Sequence, residues 1–178
     1  MPTDDPNSPN SGKVKRPRPA SSAFPDREHL PRLENVWIPN PIYFLTCCTD
    51  QRRLLLANEP TSAVLISEFR NSRRIHRWSI GRYVIMPDHV HFFARPEPNA
   101  KTLPDFIRDW KRWTAHQIVS ITKATAPIWQ PEYFDHVLRT PDSYSEKWVY
   151  VRQNPVRVGL ALTPEGWPFA GECEPLTF

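Results

Sequence analysis

His89 and His91 stand two apart in "VIMPDHVHFF", a stretch rich in β-formers. Alternate residues of a strand share a face, so both imidazoles project the same way from Cα atoms roughly 6.5–7 Å apart. Two neutral imidazoles at that spacing can converge on one divalent ion. They can equally be ordinary strand histidines, hydrogen-bonded or solvated. Val90, Phe92 and Ala94 take the opposite face, which gives the strand one side for a core and one for chemistry.

A second set of candidates lies in "TLPDFIRDWKRWTAHQIVSI". At 100° per residue, Leu103, Phe106, Ile107, Trp110, Thr114, Ile118 and Ile121 fall in one apolar stripe, with Gln117 inside it and Trp113 at its edge. A buried amide must find partners. Gln117 is either a satisfied core amide or a third ligand turned towards the histidines. Arg108, Lys111 and Arg112 fall outside the stripe and predict a basic, exposed side of the helix.

The elements that must hold these groups follow from local pattern. "PIYFLTCCT" at 41–49 is β-branched and aromatic and predicts a buried strand. "ANEPTSAVLISEFRNSRRIHRW" predicts a helix capped by Asn58, with Pro60 in its first turn. The stretch 82–96 around the histidines reads as strand, and Tyr83 shares their face if that strand runs unbroken through Pro87. Thr102 starts the second helix. A short extended segment ends "IWQPEYFDHVLR", and "TPDSYSEKWVYVRQNP" predicts a third helix with Thr140 as cap, Pro141 at its first position and Asn154-Pro155 as its stop. Strands alternating with helices predict an α+β domain, a small sheet with helices packed on one face.

Bulk properties set the limits. The 178 residues suit one globular domain at 36–168, a short C-terminal tail at 169–178, and a Pro-rich, basic, disordered tail at 1–35 containing "KVKRPR". Twenty-three Lys and Arg against 19 Asp and Glu give +4, which permits a polyanionic partner without proving one. Three cysteines, two of them adjacent, form neither a disulfide framework nor a CxxC metal pair. No apolar run reaches the ~20 residues a membrane span needs, and the N-terminus lacks a signal-peptide core. A cytoplasmic location is expected.

The motifs "VIMPDHVHFF", "WKRWTAHQI", "IWQPEYFDHVLR" and "YVRQNPVRVGL", in that order, resemble the REP-associated and IS200-like single-tyrosine transposases, whose HUH pair is a histidine, a hydrophobic residue and a histidine. The resemblance spans residues 36–168. It implies a ferredoxin-like (RRM-like) antiparallel sheet and a helix bearing a tyrosine that attacks single-stranded, hairpin-associated DNA. A 5′-phosphotyrosine and a free 3′-OH result, with Mg²⁺ or Mn²⁺ at the phosphate.

Carried over by position, His89, His91 and Gln117 match the metal ligands. The nucleophile position falls on Trp113, and indole cannot form a phosphodiester. The resemblance further implies DNA contacts from Arg108, Lys111, Arg112 and Trp113, and from Arg139, Arg152 and Arg157, while monomer and homodimer both stay open. Three functions follow: a nicking and joining transposase with a displaced nucleophile, drawn from Tyr83, Tyr133, Tyr144 or Tyr150; a DNA-binding module that kept the fold and uses Trp113 as a stacking platform; and an unrelated metal-dependent hydrolase with Asp88 beside the histidines.

Overall fold

A computed structural model describes residues 41–178. The expectations for the N-terminal tail lie outside the described residues. Five strands form one antiparallel sheet: β1 (Ile42–Cys48), β2 (Trp78–Ile85), β3 (His89–Pro96), β4 (Phe134–Leu138) and β5 (Ala170–Glu172), in the order β4-β1-β3-β2-β5. Between them run α1 (Glu59–His76), α2 (Leu103–Thr122), α3 (Pro141–Arg152) and the single turn α4 (Asn154–Arg157). The first four strands have the ferredoxin-like order, so the α+β class expected from the residues holds.

The helices begin where short-range chemistry dictates. The Asn58 side chain accepts from Thr61 N, Thr102 from Asp105 N and Thr140 from Ser143 N, each with proline in the first turn. Such a cap stabilises a helix by about 1 kcal/mol. At Thr140 the box is reciprocal, because Ser143 Oγ also accepts from Thr140 N.

α1 links β1 to β2 and α2 links β3 to β4, each pair being parallel with one antiparallel strand between. Both are therefore crossover units, whose fixed right hand puts α1 and α2 on the same face. Leu65 and Phe69 of α1 and Phe106, Trp110 and Ile118 of α2 pack there against Leu45, Val90, Phe92 and Ala94. The Trp110 ring lies 5.6 Å from Phe69 and 5.5 Å from Phe92. Each such side chain fully buried contributes about 1.5–3 kcal/mol.

α3 follows β4 without a crossover and covers the other face. Tyr144, Trp148 and Val151 pack on Phe44, Val84 and Phe93, a second and smaller apolar cluster.

Three expectations need correction. The stretch 82–96 is a hairpin: β2 ends at Ile85, Met86–Asp88 turn the chain, and β3 begins at His89. Tyr83 consequently lies opposite Phe92, packs on Phe69 and does not share the histidines' face. Residues 170–172 are an edge strand on β2, anchored by Trp167 Nε1 donating to Ile85 O at 3.0 Å, so the C-terminal segment completes the sheet. Lys111 is buried, not exposed. Its ammonium donates to the carbonyls of Gln130, Pro131 and Glu132 at 2.9, 3.2 and 2.7 Å, the partners a buried cation requires. Among the described residues, no helix is long and apolar enough to cross a membrane.

Candidate functional site

β3 alternates as its sequence predicts, with Val90 and Phe92 in the α1–α2 core and His89, His91 and Phe93 on the α3 face. Residues directly opposite in adjacent strands share a face, so the register extends this surface sideways. Thr46 pairs with His91, Cys48 with His89, Phe44 with His136, and Ile42 with Leu138. α3 covers the Phe44–Phe93 row and leaves the histidine end of the sheet partly open.

The two imidazoles converge. Their Nε2 atoms lie 3.1 Å apart, with the rings nearly perpendicular. Behind them, His89 Nδ1 sits 2.5 Å from an Asp88 carboxylate oxygen and His91 Nδ1 lies 2.8 Å from Thr46 Oγ1. A carboxylate only accepts, so His89 carries its proton on Nδ1 and bares Nε2. Thr46 either donates to His91 Nδ1, so that His91 Nε2–H donates to His89 Nε2, or accepts from His91 Nδ1–H, which leaves both Nε2 lone pairs for an ion. Two ligands at right angles, each about 2.1 Å from a common ion, are themselves about 3.0 Å apart. The pair and its backing groups fit a divalent ion, because oriented imidazoles supported by hydrogen bonds are how such ligands are held.

Electrostatics agree with this arrangement. Burial, then the charges of His89, Arg52 and Lys147, push the His91 imidazole well below its ordinary range and keep it neutral, as a ligand must be. Burial would raise the Asp88 carboxyl. The hydrogen bond from His89, with the Arg52 guanidinium 2.9 Å away, outweighs it and holds the group ionised. Asp88 thus orients His89 from behind, which removes it from the ligand role considered for it in the hydrolase reading.

The residues expected beside the histidines divide between the two faces. α2 packs on the Phe92 side, so the sheet stands between His91 and the helix carrying Trp113 and Gln117. Gln117 is half-buried there, and Trp113 is 53% exposed, its ring 6.5 Å from His116. Arg108 pairs with Asp105 and Asp109, Arg112 with Asp109, and Arg152 with Glu165. Arg139 and Arg157 lie nearer the histidine face. The charge of Arg139 reaches His136, and the Arg157 guanidinium stacks 4.1 Å from the centroid of the Tyr150 ring.

α3 is the helix over the site. The Lys147 ammonium lies 5.2 Å from the Phe44 ring and 5.8 Å from that of Tyr150, and Phe44 stacks on His91 at 5.4 Å. Of the five tyrosines, Tyr43 and Tyr83 belong to the α1–α2 layer, and Tyr133 packs against that same core, beside Lys111. Tyr144 is buried against Phe93, and burial raises its hydroxyl pKa. Tyr150 alone combines 53% exposure with a place on the helix that covers the histidine face. Thr46, Arg52, His136 and Lys147 were not singled out from the sequence. The only available signal was the alternation of Phe44, Thr46 and Cys48, which is uninformative until the strand's neighbours are known.

Comparison with known proteins adds an independent line. The model of the IS200-like transposase family (Y1) matches residues 38–152. The REP-associated tyrosine transposase of Escherichia coli K12 is 28% identical over 102 residues, covering 55% of this chain and 56% of that protein. The chain thus spans little more than half the length of that relative. A solved REP-associated tyrosine transposase bound to a REP hairpin superposes with a TM-score of 0.62 at 23% identity, over 79% of this chain and 82% of the other. A candidate transposase from Deinococcus radiodurans R1 does so at 0.50 and 18%, over 67% and 94%. These two likenesses carry the fold.

Proposed function

The chain belongs to the IS200-like transposase family, and from that premise we propose that it binds single-stranded, hairpin-associated DNA and cleaves and rejoins it with Tyr150 as nucleophile. The observation that carries this reading is the one tyrosine in five that is both exposed and on the helix packed on the histidine-bearing face of the sheet. On this reading Trp113 is not a vacated nucleophile position but a residue of the opposite side. The pattern that asks for a polar ligand one turn after the nucleophile then falls on Asn154 rather than Gln117. The solved relative bound to a REP hairpin supports hairpin DNA as the partner.

The chemistry asks little of the protein beyond placement and charge. The Tyr150 oxygen bonds to phosphorus, the P–O3′ bond breaks, the phenolic proton leaves, and the departing 3′ oxygen gains one. Return of the 3′-OH reverses the exchange, with the bond energy kept in the phosphotyrosine. Lys147 and Arg157 put two positive charges against the Tyr150 ring, where a phosphodiester is drawn in. The family generally uses a divalent ion. His89, His91 and Asn154 would hold such an ion, and Mg²⁺ or Mn²⁺ bound there would supply neutralising charge at the phosphate. Three free thiols suit a reducing, cytoplasmic setting.

The test is covalent capture. Incubation with hairpin DNA bearing a single-stranded extension and Mn²⁺ should give an adduct on a denaturing gel, mapped to Tyr150 by mass spectrometry and absent from Tyr150→Phe. An adduct on any other tyrosine overturns the assignment. Tight, metal-independent binding without an adduct would leave a binding module that kept only the fold.

A further inference from the structure

Beside the histidines, β4 and α3 enclose a groove of about 320 Å³ lined by His136, Leu138, Ser143, Glu146, Lys147 and Tyr150. Its volume lies at the small end of ligand sites and suits a single nucleotide better than a helix or a duplex. Its chemistry is mixed in the way such a ligand demands. His136 offers an exposed ring and Lys147 an ammonium, while Leu138 is almost fully buried and the Ser143 hydroxyl is held by Thr140. His136 faces this side because it pairs with Phe44 across the sheet.

The groove also has a charge imbalance. Lys147 has no carboxylate partner among the described residues, although Glu146 lines the same groove. Its charge acts on His91 at one end and on His136 at the other, where Arg139 adds a second cation. Burial first, then Lys147 and Arg139, keep the His136 imidazole below its ordinary range, with Asp135 opposing them. A half-buried ammonium between two neutral imidazoles and two aromatic rings is a seat for an anion.

We propose that the groove between β4 and α3 is a subsite for the deoxynucleotide adjoining the reacting phosphate, with its own phosphate on Lys147 and its base against the His136 ring. The inference rests on Tyr150 as nucleophile, since Tyr150 lines the groove beside Lys147. It adds a determinant of which nucleotide flanks the break.

The probe is deoxythymidine 3′,5′-bisphosphate, one nucleotide with both phosphates, titrated into the full chain in metal-free buffer and followed by NMR of the histidine and tyrosine side chains. The expected result is saturable movement of the His136 and Tyr150 signals, weakened at least fivefold by Lys147→Ala and restored by Lys147→Arg. Arg74→Ala, an equal charge loss on an exposed residue of α1, should leave it unchanged. For a single-stranded oligonucleotide, Lys147→Ala should also reduce the slope of log affinity against log salt by about 0.7, one phosphate contact. Signals that move elsewhere, or an equal effect of Arg74→Ala, overturn the subsite. An adduct on Tyr150 with no shift in the groove rejects the subsite alone. Groove binding with no adduct on Tyr150 rejects the nucleophile alone.

Discussion

His91 Nε2 and His89 Nε2 point at each other across 3.1 Å, and each ring is fixed from behind by a different partner, Thr46 for one and Asp88 for the other. The convergence therefore depends on residues that touch no ion themselves. Thr46→Val keeps the shape of the side chain and removes the oxygen that orients His91. It should weaken Mn²⁺ binding about 10–100-fold, as read by isothermal titration calorimetry, with little change in thermal stability. Unchanged affinity would refute the orienting role.

The division of residues between faces gives a sharper contrast. His89→Ala should abolish stoichiometric Mn²⁺ binding, while Gln117→Ala should leave it intact, because α2 lies beneath the sheet. Loss of binding in Gln117→Ala would restore that residue as a ligand. The same titration on Asn154→Ala should show weakening.

Acid should destabilise the metal-free protein through His91. Its pKa in the folded state is well below the ordinary value, so the unfolded chain takes up a proton near pH 6.5 that the folded chain refuses. That contribution is complete above pH 6.5 and is lost as pH falls below it towards the folded-state value. Urea denaturation at pH 7.5 and pH 5.0 should show a smaller acid-induced loss in His91→Asn than in the parent. An equal loss in both would assign the acid sensitivity to other groups.

Lys111 should matter for stability and not for the site. Lys111→Met leaves three carbonyls of residues 130–132 without their donor, at a cost of about 1–3 kcal/mol. Urea titration measures it. Tyr150 adduct formation per folded molecule should be preserved. A variant as stable as the parent would mean that water replaces the ammonium freely.

Features fixed by neighbours in the chain were legible in the sequence. Asn58, Thr102 and Thr140 cap helices because capping needs only three or four residues, and the shared face of His89 and His91 follows from strand parity. What failed was the question of which helix lies over which face. The stripe of α2 says that it buries Phe106 and Trp110, but not against which side of the sheet. Crossover handedness answers that, and it acts only once β3 and β4 flank β1. Met86-Pro87-Asp88 hid a turn inside a β-rich run, which carried Tyr83 to the wrong face. Lys111 lay outside the apolar stripe and was expected in solvent, yet carbonyls from a distant loop satisfy it.

Only Arg139 and Thr140 separate the end of β4 from the start of α3, so both walls of the groove come from one short, continuous piece of chain. The histidine end is different. Thr46 and His91 are 45 residues apart, with α1 and β2 between them in the chain. Local contacts close early and distant ones late, because loop closure costs entropy before any contact compensates it. The β4–α3 corner should therefore assemble on its own schedule during refolding, ahead of the imidazole pair. Amide protection there should appear before Mn²⁺ can be captured.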